Sequence, residues 1–188
     1  SSDVCSSDLM ELYTLYVEYK DTYGEEPKAK SKYKGKDIGS CISTSQIKSD
    51  DVQAKAYYKG FNTIVGEWEM KFSSTEPARN QFNYKAGDEL LSFAEQHNMK
   101  LRGHTLCWHE SVPSWLTADG IQNDKNWTKE ELQSILKNHI TNLVSHWKGR
   151  VYEWDVVNEV LANDQSIINT KSSGYTLRNT IWYNVIGE

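Results

Sequence analysis

VYEWDVVNEVL, residues 151–161, mixes an apolar strand pattern with carboxylates. Val151, Trp154, Val156 and Val157 suit a buried strand, yet Asp155 stands inside it and it ends in Asn158-Glu159. Taking a carboxylate out of water costs several kcal/mol unless it is paired or hydrogen-bonded. A strand that only filled a core would be apolar throughout. The polar groups at its end therefore point to a site built where strands terminate.

Outward from this strand the same alternation repeats. Upstream, TKEELQSILKNHITNLVSHWKG (128–149) places Leu132, Ile135, Leu136, Ile140, Leu143, Val144 and Trp147 at helical spacing. Thr128 with Glu131 forms a capping-box signature, and Gly149 is the expected terminator. MKLRGHTLCW (99–108) reads as a strand, and KAGDELLSFAEQHN (85–98) as a helix with Leu90, Leu91, Ala94 and His97 on one face. FNTIVGEWEMKF (61–72) and DIGSCIS (37–43) read as two further strands, separated by a helix over SDDVQAKAYYKGF (49–61). Downstream, SGYTLRNTIWYNVIGE (173–188) is expected to be the next helix.

Four strand–helix alternations imply parallel strands with crossover helices. No G-x-G-x-x-G follows the first strand, which removes the dinucleotide-binding doubly wound version. A (β/α)8 barrel carries its chemistry at the C-terminal ends of its strands. Those ends here hold Glu67, His104 and Asn158-Glu159. Four units fill about 150 residues and eight need about twice that, so residues 37–188 are expected to supply the first four βα units of a TIM barrel. Residues 1–36 read as an extension. Its head SSDVCSSDL (1–9) is a disordered end or a junction, 9–19 a short amphipathic helix, and 20–36 a solvated connection.

Composition narrows the function. The 188 residues carry a net charge of −5, 38% hydrophobic and 25% charged side chains, and no basic cluster, which argues against a nucleic-acid partner. No apolar run approaches the roughly 20 residues that span a bilayer, so no membrane partner is expected. Seven Trp and eleven Tyr suit a sugar-binding cleft, although ordinary cores also use them. Cys5, Cys41 and Cys107 show neither a disulfide framework nor zinc spacing. A metal site from His104, Cys107 and His109 matches no common zinc pattern, and no metal or cofactor is expected. His97, His139 and His146 fall on helices as surface or core-edge residues.

GEWEMKF (66–72), RGHTLCWHESVPSWL (102–116) and WDVVNE (154–159), at successive strand ends, together resemble glycoside hydrolase family 10. Its best-known members are endo-β-1,4-xylanases. The resemblance covers about residues 37–188. It implies cleavage of β-1,4-xylosidic bonds by retaining double displacement, on xylan and xylo-oligosaccharides, by a secreted enzyme that is a monomer when complete. Glu159 is the implied general acid/base, and Asn158 the residue that meets the sugar 2-hydroxyl. His104 and Trp108 belong at the subsite where cleavage occurs. His109 either supports the carboxylates or is a core histidine. Asp155 becomes a buried structural partner. Glu67 and Lys71 are expected to reach the next sugar on the non-reducing side; their alternative is an ordinary ion pair.

The nucleophile is implied near the end of a seventh strand, beyond this chain, which is then inactive alone. Two residues depart from the family pattern: Trp68 stands where Asn is usual and Ser111 where Gln is usual, both at one sugar subsite. Trp68 either lines the cleft or packs under the following helix. Two rival functions remain: a half-barrel that only binds carbohydrate, which has no need of a proton donor, and a glycosidase for another β-linked sugar.

Overall fold

The computed structural model describes residues 35–48, 52–163 and 175–187. The helix expected at 9–19 and the extension up to residue 34 lie outside them. The elements are β1 (Gly39–Ile42), α1 (Thr44–Lys48), α2 (Val52–Gly60), β2 (Thr63–Gly66), α3 (Phe72–Thr75), α4 (Lys85–Gln96), β3 (Lys100–Gly103), α5 (Lys129–His146), β4 (Glu153–Trp154) and a π-helical turn, Trp182–Ile186. The sheet order is β1-β2-β3-β4. Gly39 pairs with Thr63 and Thr63 with Lys100, both ladders parallel. Strands that neighbour in sequence order, without a reversal, are wound as a barrel winds them and not as a doubly wound sheet does.

The chain divides into two compact units. The first holds described residues up to Glu69 with Lys85–Gly103 and Arg150–Glu153. Its core is Ile42, Ile64 and Leu101 from the strands and Leu90, Leu91 and Ala94 from α4, all essentially without exposure. Burying each Leu or Ile contributes about 1.5–3 kcal/mol. A Cβ on Gly66 would come within 2.8 Å of Leu90 Cδ1, so β2 and α4 close on each other just before Glu67. His97, expected on the helix as a surface or core-edge residue, falls just beyond the end of α4 and stacks flat on Tyr58 at 3.9 Å.

The second unit holds Met70–Tyr84, His104–Gly149 and the described residues from Trp154 onward. Here α5 starts as its sequence says. Thr128 Oγ1 accepts from Glu131 N at 3.2 Å, and Glu131 Oε2 accepts from Thr128 N at 2.9 Å. Leu132, Ile135 and Leu143 are buried, with Phe72, Leu116 and Ile181 completing the core. Val144, expected inside, is exposed. His139, expected at the surface or core edge, is instead 0% exposed. Its Nδ1 lies 2.9 Å from Glu76 Oε2, and its ring stacks on Phe72 at 3.5 Å. A hydrogen-bonded imidazole between aromatic rings behaves as a core residue.

The strands and the last helix also differ from expectation, and the strand expected over 99–108 is only Lys100–Gly103. The strand expected over 61–72 ends at Gly66, because Glu69 turns back and accepts from Thr44 N at 2.7 Å and Trp68 N at 2.9 Å. The strand expected over 150–158 is only Glu153–Trp154, and Val156 and Val157 are 55% and 53% exposed rather than buried. Among the described residues no strand lies on the far side of β4. Of the helix expected over 173–188, the described residues form a helical turn at Trp182–Ile186 alone. Leu177 instead bridges Leu161, Ala162 N donates to Thr176 O, and Arg178 N donates to Val160 O, each of the last two at 2.9 Å. A backbone committed to that ladder cannot also be helical.

Candidate active site

Within the second unit, parallel pairing continues past β4. Leu106 N donates to Asp155 O at 3.0 Å, Cys107 bridges Val157, and Asn158 N donates to Cys107 O at 2.9 Å. This ladder sets Trp108 beside Asn158-Glu159. The Trp108 indole Nε1 donates to Glu159 Oε2 at 2.9 Å. Lys71, 8% exposed, holds its Nζ 4.7 Å from the centre of the same indole, a cation–π contact in a partly desolvated place. Ammonium, indole and carboxylate thus form one connected row.

His104 Nδ1 lies 2.9 Å from Asp155 Oδ2, with both side chains mostly covered. Asp155 is therefore the partnered carboxylate that the sequence demanded, half-buried rather than fully so. His109 is within 3.9 Å of Glu159 Oε2 through Nδ1 and 3.7 Å of Glu110 Oε1 through Nε2, both too long for hydrogen bonds. Burial, and then the charge of Arg178, hold its pKa below the usual imidazole range, against the pull of Glu110 and Glu159. The His109 carbonyl presses on Gly120, where φ is +72° and a Cβ would collide with that oxygen.

Glu67 and Trp68 belong to the first unit and are described there alone. Glu67 follows β2, half-buried, and its N–H donates to Ile42 O at 3.1 Å. Trp68 is 57% exposed, so it is not packed under a helix. The structure brings together Lys71, His104, Trp108, His109, Asn158 and Glu159 in one unit.

The sequence profile described as glycosyl hydrolase family 10 matches residues 27–188. The chain belongs to this family. Its fold class is accordingly the TIM (β/α)8 barrel, and the four parallel strands in sequence order are part of one. A β-1,4-xylanase from Dictyoglomus thermophilum is 36% identical over 179 residues, 95% of this chain and 42% of the relative. The crystal structure of an intracellular xylanase from Thermoanaerobacterium saccharolyticum is 34% identical, with a TM-score of 0.75 over 87% of this chain and 49% of that one. Xylanase 10B from Thermotoga petrophila, solved with xylobiose, is 35% identical, with a TM-score of 0.68 over 80% and 42%. The chain spans less than half the length of each of these family 10 relatives.

Two contacts of this family 10 site escaped the sequence reading. Arg178 Nε donates to Glu159 O at 2.9 Å, and Trp182 Nε1 donates to Trp108 O at 2.9 Å. A signal was present: Arg178 is the sole charged residue between Lys171 and Glu188. Burial pushes the Cys107 thiol up to about 12, so by itself it stays protonated. His109, Glu110 and Glu159 bring donor atoms within 4.8 Å of one another, but the Arg178 charge that acts on His109 opposes a cation there.

Proposed function

We propose that this chain is part of an endo-acting family 10 hydrolase that cleaves β-1,4-xylosidic bonds of xylan with retention of configuration. Glu159 is its general acid/base, and the nucleophile lies beyond residue 188. The observation that carries the reading is the Trp108–Glu159 hydrogen bond at 2.9 Å, which orients a carboxylate that is 41% exposed and so open to a substrate. An exposed glutamate with no catalytic task has no need of a dedicated indole donor.

In the first step the nucleophile attacks the anomeric carbon while Glu159, as the acid, gives its proton to the departing glycosidic oxygen. In the second, Glu159 as carboxylate takes a proton from the water that displaces the nucleophile. Asn158 meets the 2-hydroxyl, where a hydrogen bond strengthens as positive charge grows on the ring. His104, its Nδ1 occupied by Asp155, offers Nε2 to a hydroxyl, and Lys71 serves the neighbouring sugar. The substrates are xylan and xylo-oligosaccharides, and the Thermotoga petrophila complex with xylobiose supports that class.

The test is Glu159→Ala in the full-length enzyme. Activity on xylan is expected to be nearly abolished. Cleavage of aryl glycosides with good leaving groups should survive in its first step, and azide should restore turnover by replacing the base-activated water. Equal loss on both substrates without azide rescue would refute the acid/base role. Xylan is too large to enter a cell, so we also place the enzyme outside it, as a monomer. Xylanase activity confined to the cell interior would overturn that placement; the Thermoanaerobacterium saccharolyticum relative is described as an intracellular xylanase.

A further inference from the structure

We infer that Arg178 and Trp182 are positioning residues that fix where the Glu159 carboxylate sits, acting through the main chain and not on substrate; this rests on Glu159 being the acid/base. Arg178 alone serves three successive carbonyls. Its Nε donates to Glu159 O at 2.9 Å, its backbone N to Val160 O at 2.9 Å, and its Nη2 to Leu161 O at 3.2 Å. Nη2 also donates to Asn163 Oδ1 at 2.9 Å. Four residues on, the Trp182 indole donates to Trp108 O at 2.9 Å. One segment thereby grips both residues of the Trp108–Glu159 hydrogen bond, the first at its carbonyl and the second at its own.

The Glu159 backbone needs such a grip. Its φ is +50°, in the left-handed region that costs an L-residue roughly 1–2 kcal/mol and persists only where its surroundings enforce it. The short ladder at Leu161 and Leu177 would by itself close this part of the chain. It does not reach Glu159, and the Arg178 fork does. Trp182 is itself held, with its ring stacked at 6.2 Å on Phe72 and its neighbour Ile181 fully buried and donating to Gly120 O at 3.0 Å. A clamp built on core residues can hold a side chain to the tolerance that proton transfer demands. A misplacement of about 1 Å can cost about 100-fold in rate.

A lysine cannot replace the fork, because its single ammonium lacks the planar pair of donors. The experiment therefore compares Arg178→Lys, Arg178→Met and Trp182→Phe in the full-length enzyme, with Glu159→Ala as control. Xylan and a dinitrophenyl β-xylobioside are the two substrates. All three variants are expected to lose about 10- to 100-fold in kcat on xylan, with KM little changed. Their first-step rate on the activated glycoside, which hardly needs a proton, should stay within about threefold of the parent. Equal losses on both substrates, or an Arg178→Lys enzyme that behaves as the parent, would overturn the inference. If Arg178→Met does not fold, Arg178→Lys and Trp182→Phe carry the comparison. A Glu159→Ala enzyme that keeps its xylan activity sinks the acid/base reading itself. A normal loss in that control with no selective loss at 178 and 182 sinks only the clamp.

Discussion

The Trp108 indole N–H and Glu159 Oε2 meet at 2.9 Å, and the face of the same indole carries the Lys71 ammonium 4.7 Å from its centre. One side chain thus orients the carboxylate with its edge and holds a covered cation with its face. Those two tasks can be separated. Trp108→Phe keeps an aromatic face and removes the N–H. A hydrogen bond to a charged group is worth about 1.5–3 kcal/mol, so kcat/KM on xylan should fall about 10- to 100-fold. Steady-state kinetics would show it, and an unchanged kcat/KM would mean that this bond does not matter to the reaction.

His139 makes the second prediction. Burial holds its pKa below the ordinary 6.5, and the bond to Glu76 offsets the shift only in part. Between 6.5 and the folded value the unfolded chain binds the extra proton, so stability is greatest above this window and falls as pH drops through it. His139→Gln keeps a donor for Glu76 but cannot titrate. Thermal unfolding from about pH 8 to about pH 5 should show a steeper loss for the parent than for this variant. Parallel curves would remove His139 as the source of acid sensitivity.

The third concerns Gly120, whose φ of +72° and contact with the His109 carbonyl leave no room for a methyl group. Gly120→Ala must move the loop or the backbone of His109. It should cost more than about 1 kcal/mol and lower the melting temperature by several degrees, with activity reduced because His109 sits beside Glu159. A variant as stable and active as the parent would show that the loop yields freely.

What is legible in the sequence is what is local. Alternating strand and helix periods point to the parallel architecture, and Thr128 and Glu131, one helical turn apart, mark the start of α5. The strands at 61–72 and 150–158 read too long because β-favouring residues do not reveal where the neighbouring ladder ends. Glu69 reaches back 25 residues to Thr44 to close β2, which no local pattern records. The burial of His139 is hidden for the same reason, since its partner Glu76 lies 63 residues away. The apolar run around Ile181 looks helical in isolation, yet residues 176–178 pair with 160–162. Within the site, the motif residues stand out by type and spacing. Arg178 and Trp182 do not, because they act on carbonyl oxygens, which every residue has.

Trp68 makes the last prediction. It stands where the family pattern has Asn, directly after Glu67 at the end of β2, and it is 57% exposed. Its main chain is fixed by the Glu69 carboxylate, which takes the Trp68 N–H at 2.9 Å and the Thr44 N–H at 2.7 Å. An Asn there would offer directed hydrogen bonds to a sugar hydroxyl, whereas an indole offers a broad apolar face and one donor. Sites that hydrogen-bond a hydroxyl reject ligands lacking it strongly, and apolar faces discriminate weakly. The full-length enzyme should therefore accept xylo-oligosaccharides bearing side groups more readily than its Trp68→Asn variant does. The other departure, Ser111, has φ of +53°, so Ser111→Gln puts a longer side chain on left-handed backbone and needs a stability control. With both variants confirmed as folded by thermal unfolding, the deciding measurement is the ratio of kcat/KM for substituted and unsubstituted oligosaccharides. The Trp68→Asn, Ser111→Gln enzyme should shift that ratio toward the unsubstituted substrate. A ratio that stays put would show that the Trp68 indole, although exposed, takes no part in choosing the sugar.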